Sequence, residues 1–149
     1  MKKGALTAAE EMRLRQALDE VPFAHLIGLE LGSIERGAAT FHLNVRPELK
    51  QNKGLTHGGV IAALIDTAAA FAVVSLLEPE QSTSTIDLTI HYLRPLTAGR
   101  AAAQARVLKA GRRVLVISVD VKDESEALVA TALTSYLRLT DDLSRASRP

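Results

Sequence analysis

Asp66 is the sole charge in an apolar run from Val60 to Leu77. A carboxylate is expensive to bury without partners, so its presence there asks for a reason. On a helix, the positions three and four residues away share its face, and these are Ala62, Ala63, Ala69 and Ala70. Four small side chains around one acid leave vacant space, which suits a bound substrate better than a filled core. A carboxylate so placed can act as a nucleophile on an acyl carbon or as a general base toward water. The alternative is a structural Asp that accepts hydrogen bonds from a neighbouring strand.

The second element with chemical potential is His57-Gly58-Gly59, at the start of the same run. A helix beginning there points unsatisfied backbone N–H groups and the positive end of its dipole outward. Glycine lets a ligand approach closely, so a polarised carbonyl oxygen can be received as in an oxyanion hole, with the Gly58 N–H as donor and Gly59 as a substrate-contacting neighbour. Alternatively, the glycines merely permit a tight entry into the helix. Gly58 and Asp66 are separated by eight residues, about 12 Å along one helix. One carbonyl cannot touch both. If both act on the same group, the helix must lie antiparallel to a copy of itself, which predicts an obligate homodimer with two shared sites.

Composition bounds the rest. With 149 residues, 47% hydrophobic and 23% charged, the chain fits one domain spanning 1–149, and no second domain is expected. A net charge of +1 supplies no basic field for nucleic acid, so any anionic partner must be met by a local patch. Cysteine is absent, which removes disulfides, thiolate nucleophiles and Cys-based metal sites, and suggests a reducing cytoplasm. Glu10, Glu11, Arg13 and Arg15 interrupt the segment where an export signal would place its apolar core. The Val60–Leu77 run approaches membrane-spanning length, but an acid at mid-span costs several kcal/mol unless paired, so a buried helix of a water-soluble fold is the better reading. The four histidines lack the paired spacing of a metal site, His25 and His42 read as structural or exposed, and no metal or resident cofactor is expected.

The elements that must position these groups follow from periodicity. Ala8–Leu18 mixes Glu, Arg and Leu at helical spacing after a capping Thr7, and Pro22 is expected to end that helix. Leu26–Glu35 and Ala39–Arg46 alternate as a hairpin turning at Arg36-Gly37; Pro47 stops the second strand. The long helix enters at Gly58-Gly59 and is expected to end near Pro79. Four strands then follow, at about Thr83–Leu93, Arg100–Lys109, Val114–Lys122 and Ala127–Leu139, and the tail from Asp141 to Pro149 reads as frayed. Two strands, one all-round apolar helix and four more strands predict an α+β domain, an antiparallel sheet of about six strands wrapped around one central helix.

The run Gln51-Asn52-Lys53-Gly54-Leu55-Thr56-His57-Gly58-Gly59, followed by Asp66, resembles the PaaI-type branch of the hotdog-fold acyl-CoA thioesterases. The resemblance covers roughly Pro22–Leu139. It implies that Gly58 polarises the thioester carbonyl and that Asp66 is nucleophile or base. Gln51, with Asn52 as second candidate, orients the site beside His57. A hydroxyl early in the strand after the helix holds the water, which gives Thr85 with Ser84 as rival. Strand alternation complicates Thr85, because it shares a face with Asp87, Thr89 and His91 rather than with Ile86, Leu88 and Ile90. Coenzyme A brings phosphates, for which Arg94 and Arg100 around one turn, and Lys109, Arg112 and Arg113 around another, are the available cations. A homotetramer is a further implication.

Two other readings remain at this level: a non-catalytic acyl-CoA sensor on the same fold, and a hotdog dehydratase acting on hydroxyacyl thioesters. Retention of Asp66 argues against the first. The second requires a catalytic His in a different setting. The alanines around Asp66, with Phe71 and Tyr92 among few aromatics, leave room for an aryl or a medium-length aliphatic acyl group.

Overall fold

The computed structural model describes residues 5–140, so the expectation for the Asp141–Pro149 tail lies outside the described residues. Helix α1 spans Ala8–Asp19 behind a reciprocal capping box, in which Thr7 Oγ1 accepts from the Glu10 amide and the Glu10 carboxylate accepts from the Thr7 amide. Arg36 also reaches Glu10 at 2.6 Å, tying α1 to the turn between the first two strands.

Pro22 does not close α1, which ends before it. It opens a second short helix, α2, Pro22–Ile27. Proline at the first helical position gives up an amide that had no partner anyway, and Gly28 at φ 78° ends the turn in the left-handed region that glycine adopts freely. Leu26 and Ile27 therefore belong to a helix, and the first strand, β1, is Leu29–Glu35. It pairs with β2, Ala38–Asn44, through a bulge between Leu31 and Ile34.

After a 3-10 turn at Pro47–Leu49, the central helix α3 runs from Gly58 to Val74. It stops short of Pro79. The hydroxyl of Ser75 donates to the Ala72 carbonyl at 2.7 Å and accepts from the Gly37 amide at 2.8 Å, so that buried serine ties the helix end to the β1–β2 turn. The chain then turns through the buried Leu76 and Leu77 into β3, Gln81–Tyr92. Strands β4 (Arg100–Ala110), β5 (Val114–Lys122) and β6 (Leu128–Thr140) complete one antiparallel sheet in the order β1-β2-β4-β5-β6-β3.

Helix α3 touches all six strands, most extensively β2 and β4. On β4 the inner face is Ala101, Ala103 and Ala105, whose small side chains let the helix lie close. Facing β2 it packs Phe71 against Phe41, ring centroids 5.1 Å apart and tilted by 60°. Leu64, Ile65, Leu115, Ile117, Val119 and Val121 close the core without measurable exposure. The fold is the expected hotdog arrangement, with β3 at one edge of the sheet.

Candidate active site

Asp66 projects from the middle of α3 toward the β6–β3 end of the sheet, half-buried. Its carboxylate is met from two strands. Thr85 Oγ1 on β3 donates to Oδ1 at 3.0 Å, and Tyr136 Oη on β6 approaches the same oxygen at 2.5 Å. The tyrosine hydroxyl also reaches the Asp66 backbone carbonyl at 2.8 Å, a three-centre contact. Burial pushes the Tyr136 phenol well above its ordinary range, and the neighbouring carboxylate adds to the shift, so the hydroxyl stays protonated as a donor. The acid is therefore not an orphan in an apolar helix.

Thr85 reaches Asp66 because β3 carries a bulge. The pairing steps from Thr85↔Tyr136 to Asp87↔Ser135, leaving Ile86 unpaired. A bulge of one residue reverses the phase of alternation. Thr85 before it and Leu88 and Ile90 after it consequently all pair with inner-face residues of β6: Tyr136, Thr134 and Ala132 respectively. Strict alternation separates Thr85 from the apolar face; the bulge reunites them and leaves Ile86 53% exposed. Ser84 pairs with Leu137 and is exposed, with its side chain on the opposite face from Thr85.

The start of α3 is built differently. His57 is the N-cap, its Nδ1 accepting from the Gly59 amide at 2.9 Å, which leaves the ring proton on Nε2. Gly58 lines a cavity of about 530 Å³ together with Gln51, Leu55, Ile61, Tyr92, Arg94 and other residues of the loops before α3 and after β3. Tyr92 Oη donates to the Gly58 carbonyl at 2.8 Å. Gln51 lines this cavity while its Oε1 accepts from the Lys53 amide at 2.9 Å; Asn52 is exposed beside it and does not line it.

Asp66 is not among the residues of that cavity. Along this one chain the Gly58 amide and the Asp66 carboxylate lie at two separate places, as their spacing along α3 requires. Of the alanines around Asp66, Ala69 is fully buried and offers no space; Ala62, Ala63 and Ala70 are only half-buried. Arg94 is the one predicted cation on the Gly58 cavity. Arg100 is engaged by Glu30 at 2.8 Å. Arg112 and Arg113 line surface hollows with Gln81 and Arg138, beyond the C-terminal end of α3, and Lys109 is exposed on β4. Among the described residues no group of three or more His, Asp or Glu could hold a metal, and no helix is long and apolar enough to cross a membrane.

The sequence pointed to Tyr92 only as one of few aromatics beside the acyl group, not as a partner of Gly58, and did not point to Tyr136 at all. Tyr136 was detectable in principle, since Ala130, Ala132, Thr134 and Tyr136 alternate along β6 and share its buried face. Its partnership with Asp66 depends on tertiary packing. Tyr92 reaches Gly58 only because the end of β3 lies against the start of α3.

Residues 53–130 match the family model described as the thioesterase superfamily. Over 149 aligned positions the chain is 32% identical to the medium/long-chain acyl-CoA thioesterase YigI of Salmonella typhimurium, covering 89% of this chain and 96% of that protein. It is 30% identical over 103 residues to the 1,4-dihydroxy-2-naphthoyl-CoA hydrolase of Listeria monocytogenes, covering 69% of this chain and 84% of the relative. Among solved structures, the PaaI protein from the phenylacetic acid degradation operon of E. coli superposes with a TM-score of 0.81 at 22% identity, over 89% of this chain and 95% of that one.

Proposed function

Because the chain belongs to the thioesterase superfamily, in its PaaI-type hotdog branch, and is a thioester hydrolase, we propose that it cleaves an aryl- or medium-chain acyl-CoA to the free acid and coenzyme A. The observation that carries the site assignment is the Asp66 carboxylate, held by two hydroxyl donors in an otherwise apolar helix.

In this reading the thioester carbonyl oxygen rests on the Gly58 N–H of one subunit while Asp66 of its twin faces the carbonyl carbon. Gly58 then stabilises the developing oxyanion at the positive end of α3. Asp66 either attacks, giving a mixed anhydride that water opens, or takes the proton of an attacking water. Thr85 donates to Asp66 and keeps lone pairs free to hold that water. Gln51 and His57 fix the loop that presents Gly58. No resident cofactor enters the chemistry, and a cytoplasmic setting fits a chain without cysteine.

The separation of Gly58 from Asp66 supports a two-fold homodimer with α3 antiparallel to its copy. The 12-residue edge strand β3 offers unpaired backbone along which a copy can add. A homotetramer is a further assembly of such dimers. The acyl group follows from the cavity: Leu55, Ile61, Leu93 and Leu96 give it an apolar lining, Arg94 stands at hand for a phosphate, and Tyr92 offers a ring face. The names of the two relatives point in both directions, one aliphatic and one aromatic.

The test is thiol release from acetyl-, octanoyl-, palmitoyl- and benzoyl-CoA, with a hydroxyacyl-CoA alongside, using wild type and Asp66→Asn. Octanoyl- or benzoyl-CoA should be cleaved best, and the variant should keep its fold while losing turnover by roughly 10³-fold or more. Near-normal turnover in Asp66→Asn, a monomer by sedimentation, or loss of water with the thioester intact would each end the proposal.

A further inference from the structure

We infer that Tyr136 is a positioning residue for the hydrolysis: together with Thr85 it occupies Oδ1 of Asp66 and so makes Oδ2 the oxygen that reacts. This rests on the reading of Asp66 as the catalytic carboxylate.

A free carboxylate has two equivalent oxygens with about four acceptor sites between them. Here the equivalence is broken. Both hydroxyl donors converge on Oδ1, at 3.0 Å from Thr85 and 2.5 Å from Tyr136, and among the described residues none is directed at Oδ2. The oxygen that must meet a carbon or a water proton is thus the one with free lone pairs.

Tyr136 does more than donate. Its hydroxyl also contacts the backbone carbonyl of Asp66, so one group grips the side chain and the main chain of the same residue. That fixes the orientation of the carboxylate before any substrate arrives, which is the preorganisation that an attacking or proton-accepting oxygen needs. The ring is 1% exposed on the inner face of β6, so it is itself held by packing. Nothing in the sheet requires the hydroxyl. The pairings of Tyr136 with Thr85 and with Leu115 are made by backbone, and a phenylalanine would fill the same volume.

A competing account is that a buried tyrosine simply needs a partner and found the nearest acceptor. That account predicts lost stability without a change in the chemistry of Asp66. The two separate in the pH dependence. The carboxylate faces Thr85 from β3 and Tyr136 from β6, its neighbours on α3 are alanines, and Asp87 is turned away to the Ser135 amide at 3.1 Å. Removing a donor from a carboxylate disfavours its charged form, so the acidic limb of kcat/KM must move to higher pH. A purely structural defect scales the whole curve and leaves the limb in place.

The experiment measures kcat, KM and the pH profile of the full chain with octanoyl-CoA or benzoyl-CoA, whichever wild type cleaves faster. The variants are Tyr136→Phe, Thr85→Val and Asp66→Asn, each with a thermal melt. Tyr136→Phe should lower kcat about tenfold with KM within about twofold, and move the acidic limb to higher pH; Thr85→Val should move the limb the same way. An unmoved limb and unchanged kcat in both, with Asp66→Asn inactive, would overturn the role of Tyr136 and leave the site assignment standing. An active Asp66→Asn would remove the assignment itself. If the Tyr136→Phe melt is lowered, the same profile is read well below its melting temperature, where the folded fraction is complete, and an unmoved limb there still overturns the role.

Discussion

Gly58→Ala separates what the start of α3 does for folding from what it does for chemistry. A methyl group on Gly58 would lie 3.4 Å from both Cζ and Oη of Tyr92 and 3.6 Å from Cε1. That is close to ordinary contact, and the Tyr92 ring, 52% exposed at the end of β3, can yield by a few tenths of an ångström. Against this stands the gain of replacing glycine in a helix, up to about 1 kcal/mol in the interior and less in the first turn. The two roughly offset, so the melting temperature should stay within about 4 °C of wild type, given about 2–4 °C per kcal/mol for a chain of this size. In the proposed mechanism the thioester carbonyl approaches the Gly58 amide, and a methyl on that residue would crowd it. Losing one oxyanion donor costs about 10²–10³ in kcat, and a comparable fall in thiol release is expected. Gly59→Ala is the counterpart. Its methyl would meet His57 Nδ1 at 3.0 Å and Cε1 at 3.3 Å, disturbing the N-cap and costing about 1 kcal/mol of stability. A Gly58→Ala protein with unchanged melting and kcat/KM within threefold of wild type would refute the placement of the oxyanion at that amide.

Two further predictions concern the scaffold. The hydrogen bond from Arg36, with help from the Thr7 amide, holds Glu10 down at about 2, so its stabilising contribution is complete above the ordinary Glu range near 4.5 and is lost as pH falls toward 2. In thermal melts the gap between wild type and Glu10→Gln should therefore shrink from pH 5 to pH 2, and a constant gap would contradict the pairing. Phe41→Ala should cost about 3–5 kcal/mol, on the order of 10 °C in melting temperature by calorimetry, because the ring is fully buried against Phe71.

Much of this architecture was written in hydrophobic periodicity. The boundaries of β4 and β5, Arg100–Ala110 and Val114–Lys122, fall within one residue of the alternating runs, and the Thr7 cap stands where the pattern puts it. Asp66 was conspicuous because charge is rare inside an apolar helix. What escaped was set by contacts between segments remote in the chain. Pro22 looked like a terminator because proline breaks helices, yet the same locked φ suits a first turn. Serine at the end of α3 found the Gly37 amide 38 residues away, which no local pattern announces. Tyr136 lies 70 residues from Asp66, and its hydroxyl reads in sequence as one more aromatic on a buried strand face.

The unpaired Ile86 shows how a single extra link can decide which side chains face the central helix without making a contact of its own there. Every side chain upstream of it is rotated by half a repeat relative to those downstream, so β3 can present a polar hydroxyl and a greasy lining on one surface while keeping its bonds to β6. Such a device is invisible to residue-by-residue substitution, since any amino acid at that point preserves the count. In descendants of this chain, gain or loss of one codon there would switch the threonine between the helix and the outside in one step. Length, in this stretch of strand, is as much a functional variable as chemistry.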